Sequence, residues 1–210
     1  MWGAAGPRRG FQRRAFGGVA ASRHGGQRPW PFLPAVTPAG PKTARLLGID
    51  PGLRFTGWGV IEVTGNRLRH IADGVLSTTN EDRVPERLRA LHDGLVALFR
   101  AYEPDEAAVE ETYVNRNGTA TLKLGYARGV ALLAPALAGI PVFEYGAMMV
   151  KQAVVGTGAA SKDQVEAMVR RLLPGATLKR ADAADALGVA ICHAHHRASR
   201  LAWGAGTRMA

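Results

Sequence analysis

The sequence predicts an α/β protein in which helices flank a mixed five-stranded sheet. Three observations support this prediction. Three strand-like segments follow one another through short turns, which is typical of an antiparallel meander. Two further short apolar runs each follow a helical segment, which favours two parallel strands added to that meander. Most of the chain beyond residue 83 shows apolar residues at helical spacing.

The strands are predicted from apolar runs that end at turn residues. The first run is broken only by Arg45, and the turn Thr64-Gly65-Asn66 separates the second run from the third. The fourth is short and ends on a carboxylate. The predicted strands are Ala44–Ile49, Trp58–Val63, Leu68–Leu76, Ala107–Glu110 and Pro141–Tyr145.

The helices are predicted from apolar residues that recur every three or four positions. Pro85 suits the first turn of the first helix, and Glu103-Pro104-Asp105 ends it. The predicted helices are Arg83–Tyr102, Thr119–Leu137, Gly146–Val155, Lys162–Leu173 and Asp182–Arg200.

The predicted helix Thr119–Leu137 is apolar on two faces. One stripe is large and runs from Leu122 to Leu137, and the other is small and includes Ala127 and Ala131. A helix of this kind needs two partners. It is therefore either a central core helix or a helix that packs on the sheet with one face and on a second subunit with the other.

Residues 1–43 are predicted to be a disordered, basic extension ahead of a domain at 44–202 and a flexible tail at 203–210. The extension is rich in Gly, Pro and Arg and lacks apolar periodicity. It could be an organellar presequence, although Ser22 is its only serine, or an arm that grips phosphates. The favoured interpretation is a translated leader from a start codon assigned too early, since Met1 is the only methionine before Met148.

The charge of the chain favours a nucleic-acid partner. The formal net charge is +10 and the pI is near 10.6. Residues 1–45 hold eight of the 27 basic residues and none of the acidic ones, so the rest of the chain carries 19 basic against 17 acidic residues. The body is therefore close to balanced, and the pI of the whole chain overstates its affinity for polyanions.

The sequence gives no sign of a disulfide bond or of a membrane-spanning segment. Cys192 is the only cysteine, so no internal disulfide can form, and it is predicted to be a small core residue in a reducing compartment. No apolar stretch reaches the roughly 18 to 20 residues of a membrane span. A cytoplasmic location with no membrane partner is expected.

The segment Gly48-Ile49-Asp50-Pro51-Gly52 places a carboxylate where a strand gives way to a turn. The sheet would hold Asp50 from behind, and the Pro51-Gly52 turn would leave it open in front. Aspartate is also common at turn starts, so this segment alone fits a purely structural role equally well.

Three other acids stand at the ends of predicted elements. Glu110 ends a strand, and Asp182 and Asp185 are three apart in the first turn of a helix, where they share a face about 5–6 Å apart at Cβ. Helix capping would explain one aspartate but not two among alanines. Oxygen ligands without a Cys or His cluster favour Mg²⁺ or Mn²⁺. Two such ions, about 3.5–4 Å apart, can activate a water and stabilise a leaving 3′ oxygen.

Five blocks, in order and at similar spacing, resemble the crossover junction endodeoxyribonuclease RuvC family. The resemblance covers residues 45–200, and its most specific parts are Lys123–Gly129 and Lys151–Gly156. The blocks are Gly48–Gly52, Val109–Glu111, Leu122–Gly129, Val150–Gly156 and Ala181–Leu187.

The resemblance implies a ribonuclease-H-like fold and a symmetric homodimer that makes paired nicks in four-way Holliday junctions during DNA recombination and repair. It implies an Mg²⁺-dependent endodeoxyribonuclease with two ions per active site, with Mn²⁺ as a substitute. The products would carry 5′-phosphate and 3′-hydroxyl ends. It also implies work with the RuvA–RuvB branch-migration complex.

The resemblance also assigns roles to residues of this chain. The acidic tetrad corresponds to Asp50, Glu110, Asp182 and Asp185, as both catalytic and metal-binding residues. Glu110 is chosen over its neighbour Glu111, which would point to the opposite sheet face. The predicted DNA-binding residues are Tyr113, which would stack on an unpaired junction base, Lys151 and Lys162.

Other polar residues receive no role. Surface solvation is the default for the basic residues Arg54, Arg116, Lys123 and Arg128. The histidines His193, His195 and His196 lie at least two helical turns past Asp185, about 12 Å along the axis, and are predicted to be surface or core residues.

Two alternative functions share parts of this pattern. An actin-like sugar or acetate kinase also begins with an Asp-x-Gly turn, but it needs further nucleotide-binding loops and a much longer chain in two domains. A non-catalytic junction-binding protein of the same fold is the second alternative, and the presence of all four acids disfavours it.

Overall fold

The structure, a computed structural model, describes residues 43–111 and 118–206, with side chains described up to Arg200. The strands are β1 Thr43–Asp50, β2 Phe55–Thr64, β3 Arg67–Ser77, β4 Glu106–Glu111 and β5 Val142–Gly146. The helices are α1 Val84–Tyr102, α2 Gly118–Leu137, α3 Ala147–Val155, α4 Lys162–Leu172 and α5 Ala181–Gly206.

The five strands form one mixed sheet in the order β3-β2-β1-β4-β5. The strands β1, β2 and β3 are antiparallel neighbours because short turns join them, and one of these turns uses Gly65 at φ +59°. The strands β4 and β5 are parallel to β1 because a helix returns the chain before each of them. The predicted meander with two added parallel strands is confirmed.

Helices cover both faces of the sheet. The side chains of Leu47 and Ile49 pack with α1 and α2 on one face, while Leu46 packs with α3, α4 and α5 on the other. The central strand β1 is therefore buried on both sides, which explains its mostly apolar sequence. No helix in the described ranges is long and apolar enough to cross a membrane.

Glycines let α5 lie directly on the sheet. A Cβ atom added at Gly57 would lie 1.9 Å from the carbonyl oxygen of Asp182, and one at Gly48 would lie 2.1 Å from that of Ala186. The absence of a side chain at these positions brings the helix backbone into contact with β1 and β2. The first turn of α5 is thereby placed beside the end of β1.

Helix α2 buries only its small-sided stripe. Ala127, Ala131 and Ala134 are buried in the core with α1 and the sheet, while Leu133 and Leu137 are more than half exposed. Within this chain α2 is therefore an outer helix and not a central core helix. Among the residues described here, Val130 of the large stripe packs partly against the core, while Leu122, Tyr126, Leu133 and Leu137 are exposed.

Two element boundaries differ from the predictions by more than one residue. Strand β2 begins at Phe55 and not at Trp58, because residues 55–57 pair with the end of β3 although Thr56 and Gly57 interrupt the apolar pattern. Helix α5 extends to Gly206, beyond the predicted end at Arg200 and into the segment predicted as a tail. Such ends are weakly marked in a sequence.

Candidate active site

The sheet register brings Asp50 and Glu110 side by side. Ile49 of β1 pairs with Val109 of β4 in a parallel ladder, so the next residue on each strand is adjacent too. Side chains alternate along strands, and both carboxylates therefore lie on the face that carries α5. Glu111 falls on the opposite alternation and is exposed.

Helix α5 adds the remaining acids. Asp185 lies with Asp50 and Glu110 in the wall of one cavity of about 270 Å³, which Lys151 and Lys162 also line. Asp182 is one turn earlier and does not line this cavity, although it is near enough to raise the pKa of Asp50. Ala183 and Ala184 are buried and leave the acids as the polar groups of this turn. The structure thus groups three predicted acids closely and keeps the fourth at the margin.

Burial and mutual repulsion act on the carboxylates of the cavity. Burial, and then the negative charges of Glu110, Asp185 and Asp182, raise the pKa of Asp50 to about 8, against a smaller opposing effect of Lys162. Burial and then Asp185 raise the pKa of Glu110, while a hydrogen bond with Asp50 lowers it. Burial and repulsion among the carboxylates therefore both oppose the ionised forms of Asp50 and Glu110.

Lys162 supplies part of the compensation. Its Nζ lies 3.1 Å from Oδ2 of Asp185, and this hydrogen bond raises the pKa of Lys162. The lysine is the first residue of α4, where the Ser161 side chain accepts a hydrogen bond from the Gln164 amide and the Gln164 side chain accepts one from the Ser161 amide. This capping box holds the start of the helix next to the acids.

The donor set suits a hard divalent cation. All three acids in the cavity wall offer carboxylate oxygens, which Mg²⁺ and Mn²⁺ prefer, and burial, together with the neighbouring negative charges, raises the pKa values of Asp50 and Glu110. Within residues 43–111 and 118–206, no three Asp, Glu, His or Cys side chains stand at the spacing of a ready-made metal site.

Arg180 was not anticipated from the sequence. Its Nε lies 3.3 Å from Oδ2 of Asp182, and its guanidinium stacks 4.0 Å from the centre of the Phe55 ring. The only signal in the sequence was a basic residue directly before the helix that carries the two aspartates.

The remaining predicted residues lie apart from the cavity or outside the described ranges. Tyr113 falls in residues 112–117, which the structure does not describe. His193 is fully buried beside Glu106 and Tyr145, and His195 is exposed, as surface or core residues would be. Burial raises the pKa of Cys192 to about 12, in keeping with a core role.

A mixed sheet of this strand order, with acids at the ends of its first and fourth strands and at the start of its last helix, defines the ribonuclease-H-like class. Comparison with known proteins narrows the class. The family model of crossover junction endodeoxyribonuclease RuvC matches residues 46–193. The chain belongs to this family.

Relatives and a solved structure agree with the family. A crossover junction endodeoxyribonuclease RuvC from Granulibacter bethesdensis is 75% identical over 176 residues, which are 84% of this chain and 99% of the relative. One from Gluconacetobacter diazotrophicus is 78% identical over 79% of this chain and 99% of its own length. The structure of Thermus thermophilus RuvC in complex with a Holliday junction substrate is 36% identical with a TM-score of 0.68, covering 75% of this chain and 97% of that one.

Proposed function

We propose that this protein is a Holliday junction resolvase, a structure-specific endodeoxyribonuclease that makes paired nicks in four-way DNA junctions during recombination and repair. The observation that carries the proposal is the cavity in which Asp50, Glu110 and Asp185 meet beside Lys151 and Lys162. Carboxylates collected from three distant elements suit phosphodiester hydrolysis, and the solved relative bound to a Holliday junction supports the substrate.

The acids are proposed to act together as the catalytic and metal-binding set. Asp50, Glu110 and Asp185 would hold divalent cations with their carboxylates, and Asp182 would join from the margin of the cavity. When bound, Mg²⁺ or Mn²⁺, as a pair of ions, neutralises the scissile phosphate and lowers the pKa of an attacking water. The rigid strand ends keep Asp50 and Glu110 in place, so little reorganisation is needed when DNA arrives.

The lysines of the cavity are proposed to hold DNA. Lys162 is mostly exposed although it pairs with Asp185, so it can also face a phosphate, and Lys151 opens into the same cavity from α3. Tyr113 is proposed, from the family resemblance alone, to stack on an unpaired junction base. These contacts would place the scissile phosphate over the acids.

A homodimer is proposed to form through the large stripe of α2. Leu122, Tyr126, Leu133 and Leu137 are between 41% and 70% exposed, and an apolar stripe of this size on one helix indicates a partner surface. A second copy matches it, because a two-fold dimer would present two active sites to a junction that itself has two-fold symmetry.

We also propose domain limits, a cellular location and a partner complex for this protein. Residues 44–202 would form the nuclease domain, with residues 1–43 as a basic extension and 203–210 as a tail. The protein would act in the cytoplasm and work with the RuvA–RuvB branch-migration complex, as the family resemblance implies.

A synthetic four-way junction tests the function. The wild-type protein should nick it with Mg²⁺ and leave it intact in EDTA, and Asp50→Asn should lose at least about 100-fold in nicking rate while it still binds the junction. Asp93→Asn, at an exposed position of α1, is the matched control and should nick at the wild-type rate. Binding without nicking by the wild-type protein would favour the non-catalytic junction-binding alternative.

A further inference from the structure

Arg180 and Phe55 form a stacked pair on the opposite side of the acids from Lys151 and Lys162. One edge of the sheet carries, in spatial order, the start of β2 and the ends of β1, β4 and β5. Phe55 begins β2, the acids end β1 and β4, and Lys151 lies in the helix that follows β5. Basic groups therefore flank the acids at both ends of this edge. Those on the β2 side have no part in the proposed function so far.

The local packing fixes the Arg180 side chain in one place. Gly57 and Phe55 are two residues apart on β2 and so face the same side, and Gly57 contacts the carbonyl of Asp182 at the start of α5. The Phe55 ring therefore lies beside the residue that precedes α5, and the Arg180 guanidinium stacks on it at 4.0 Å. Stacking restricts a planar guanidinium without using its N–H groups.

Arg180 keeps capacity for a second partner. Its Nε donates to Asp182 at 3.3 Å, while about half of its side chain is exposed. The guanidinium of Arg54 also lies 5.2 Å from the centre of the same ring, so two positive charges lie beside Phe55. An anion that reaches this ring would be attracted by both guanidinium groups.

We infer that Arg180, held by Phe55 and assisted by Arg54, is a binding site for a backbone phosphate of the DNA strand that crosses the acid cavity. This inference rests on the proposed function. The DNA strand would contact Lys151 and Lys162 on one side of the scissile phosphate and Arg180 on the other side. The exposed N–H groups of Arg180 would donate hydrogen bonds to the oxygens of that backbone phosphate.

The salt dependence of junction binding tests this site. Binding of a fluorescent four-way junction in EDTA would be measured by anisotropy over a range of KCl concentrations. Loss of one phosphate contact in Arg180→Gln should make the slope of log K against log[salt] shallower by about 0.7 to 0.9 and weaken binding roughly five- to tenfold. Arg89→Gln on α1, paired with Asp93 on the other face of the sheet, is the matched control and should keep the wild-type slope.

Two further variants separate phosphate binding from a structural role. Arg180→Lys keeps one positive charge and should restore the slope while it loses part of the affinity. Phe55→Leu keeps an apolar side chain but removes the stacking surface, and it should weaken binding less than Arg180→Gln does. Melting temperatures of all variants would show that each is folded.

The possible failures can be told apart. If Arg180→Gln nicks more slowly at saturating junction but keeps the wild-type slope, Arg180 only orients Asp182 and the inference is wrong, while the proposed function stands. If the wild-type protein neither binds nor nicks the junction, the proposed function is wrong and the inference is wrong with it.

Discussion

At the scale of single residues, glycines decide how closely the acids approach one another. The first turn of α5 can lie against β2 only because Gly57 has no side chain, since a Cβ there would lie 1.9 Å from the Asp182 carbonyl oxygen. We expect Gly57→Ala to push the first turn of α5 away from the sheet. The variant should lose roughly 1–3 kcal/mol of unfolding free energy in urea and most of its nicking activity.

Gly188 of α5 offers the matched control. A Cβ at Gly188 would lie 3.4 Å from Cγ1 of Val150, an ordinary van der Waals contact, so Gly188→Ala replaces a glycine of the same helix without a clash. It should gain about 0.5–1 kcal/mol of stability through helix propensity. Equal stability changes in the two variants would show that the contact between α5 and β2 does not limit the position of the helix.

Glu106, at the start of β4, forms ion pairs with residues of α5 at a distance from the acid cavity. Its carboxylate lies 2.7 Å from Nε of Arg197 and 2.9 Å from Nε2 of the buried His193, and Arg200 lies 3.4 Å away. The His193 contact is close but not aligned as a hydrogen bond, whereas its Nδ1 is 2.8 Å from the Tyr145 hydroxyl. Burial opposes ionisation of Glu106, but His193 and Arg197 outweigh it and lower its pKa to about 2.

The pH dependence of stability should show this network. The folded pKa of Glu106 lies below its ordinary value, so its contribution is complete above pH 4.5 and is lost as the pH falls towards 2. Between neutral pH and pH 3, wild-type protein should lose roughly 2 kcal/mol more unfolding free energy than Glu106→Gln does. Urea unfolding at several pH values measures this difference.

Glu103 is a suitable control for that experiment. Its side chain is 82% exposed and lies 4.0 Å from Arg45 at the surface, so Glu103→Gln should follow the wild-type pH profile. If Glu106→Gln follows that profile as well, the network around His193 does not stabilise the fold through charge.

At the scale of elements, α2 is divided between two environments. Its alanines bury one stripe in the core of this chain, and its large side chains lie exposed on the other. A lysine in a two-fold interface occurs twice and is desolvated without a partner. We therefore expect Leu133→Lys to weaken dimerisation by at least about 100-fold and to uncouple the two nicks, measured by sedimentation and by the fraction of junctions cut in both strands.

Ala90 provides the control for the dimer. It is exposed on α1, and Ala90→Lys should leave both the dimer and the paired nicks intact. A wild-type monomer, or a Leu133→Lys dimer as strong as the wild type, would contradict the proposed interface.

At the scale of the whole molecule, the family model matches residues 46–193 and leaves the start of the chain outside the match. We expect a shortened protein that starts at Thr43, the first residue of β1, to bind and nick junctions within about twofold of the full chain. Anisotropy and nicking assays on both proteins provide the measurement.

The opposite outcome has a clear physical meaning. Residues 1–42 carry six arginines and one lysine and no acidic residue. If this segment gripped phosphates, its removal would weaken binding strongly and make the salt dependence shallower by several units. That result would replace the leader interpretation with the basic-arm interpretation.

The sequence by itself determined the elements and the residue types of the candidate site. Apolar spacing predicted every described strand and helix, because apolar residues recur along each segment with the period of the structure that buries them. Element ends identified Asp50, Glu110, Asp182 and Asp185, since a carboxylate at a strand end or in a first helical turn is a local feature.

Only the tertiary structure decided which distant residues meet. The register between β1 and β4 sets Asp50 beside Glu110, and the glycine contacts of α5 admit Asp185 to the same cavity while Asp182 stays at its margin. The stacking of Arg180 on Phe55 joins residues that are 125 positions apart and share no local pattern. Such contacts depend on how closely packed backbones approach, which a single segment does not encode.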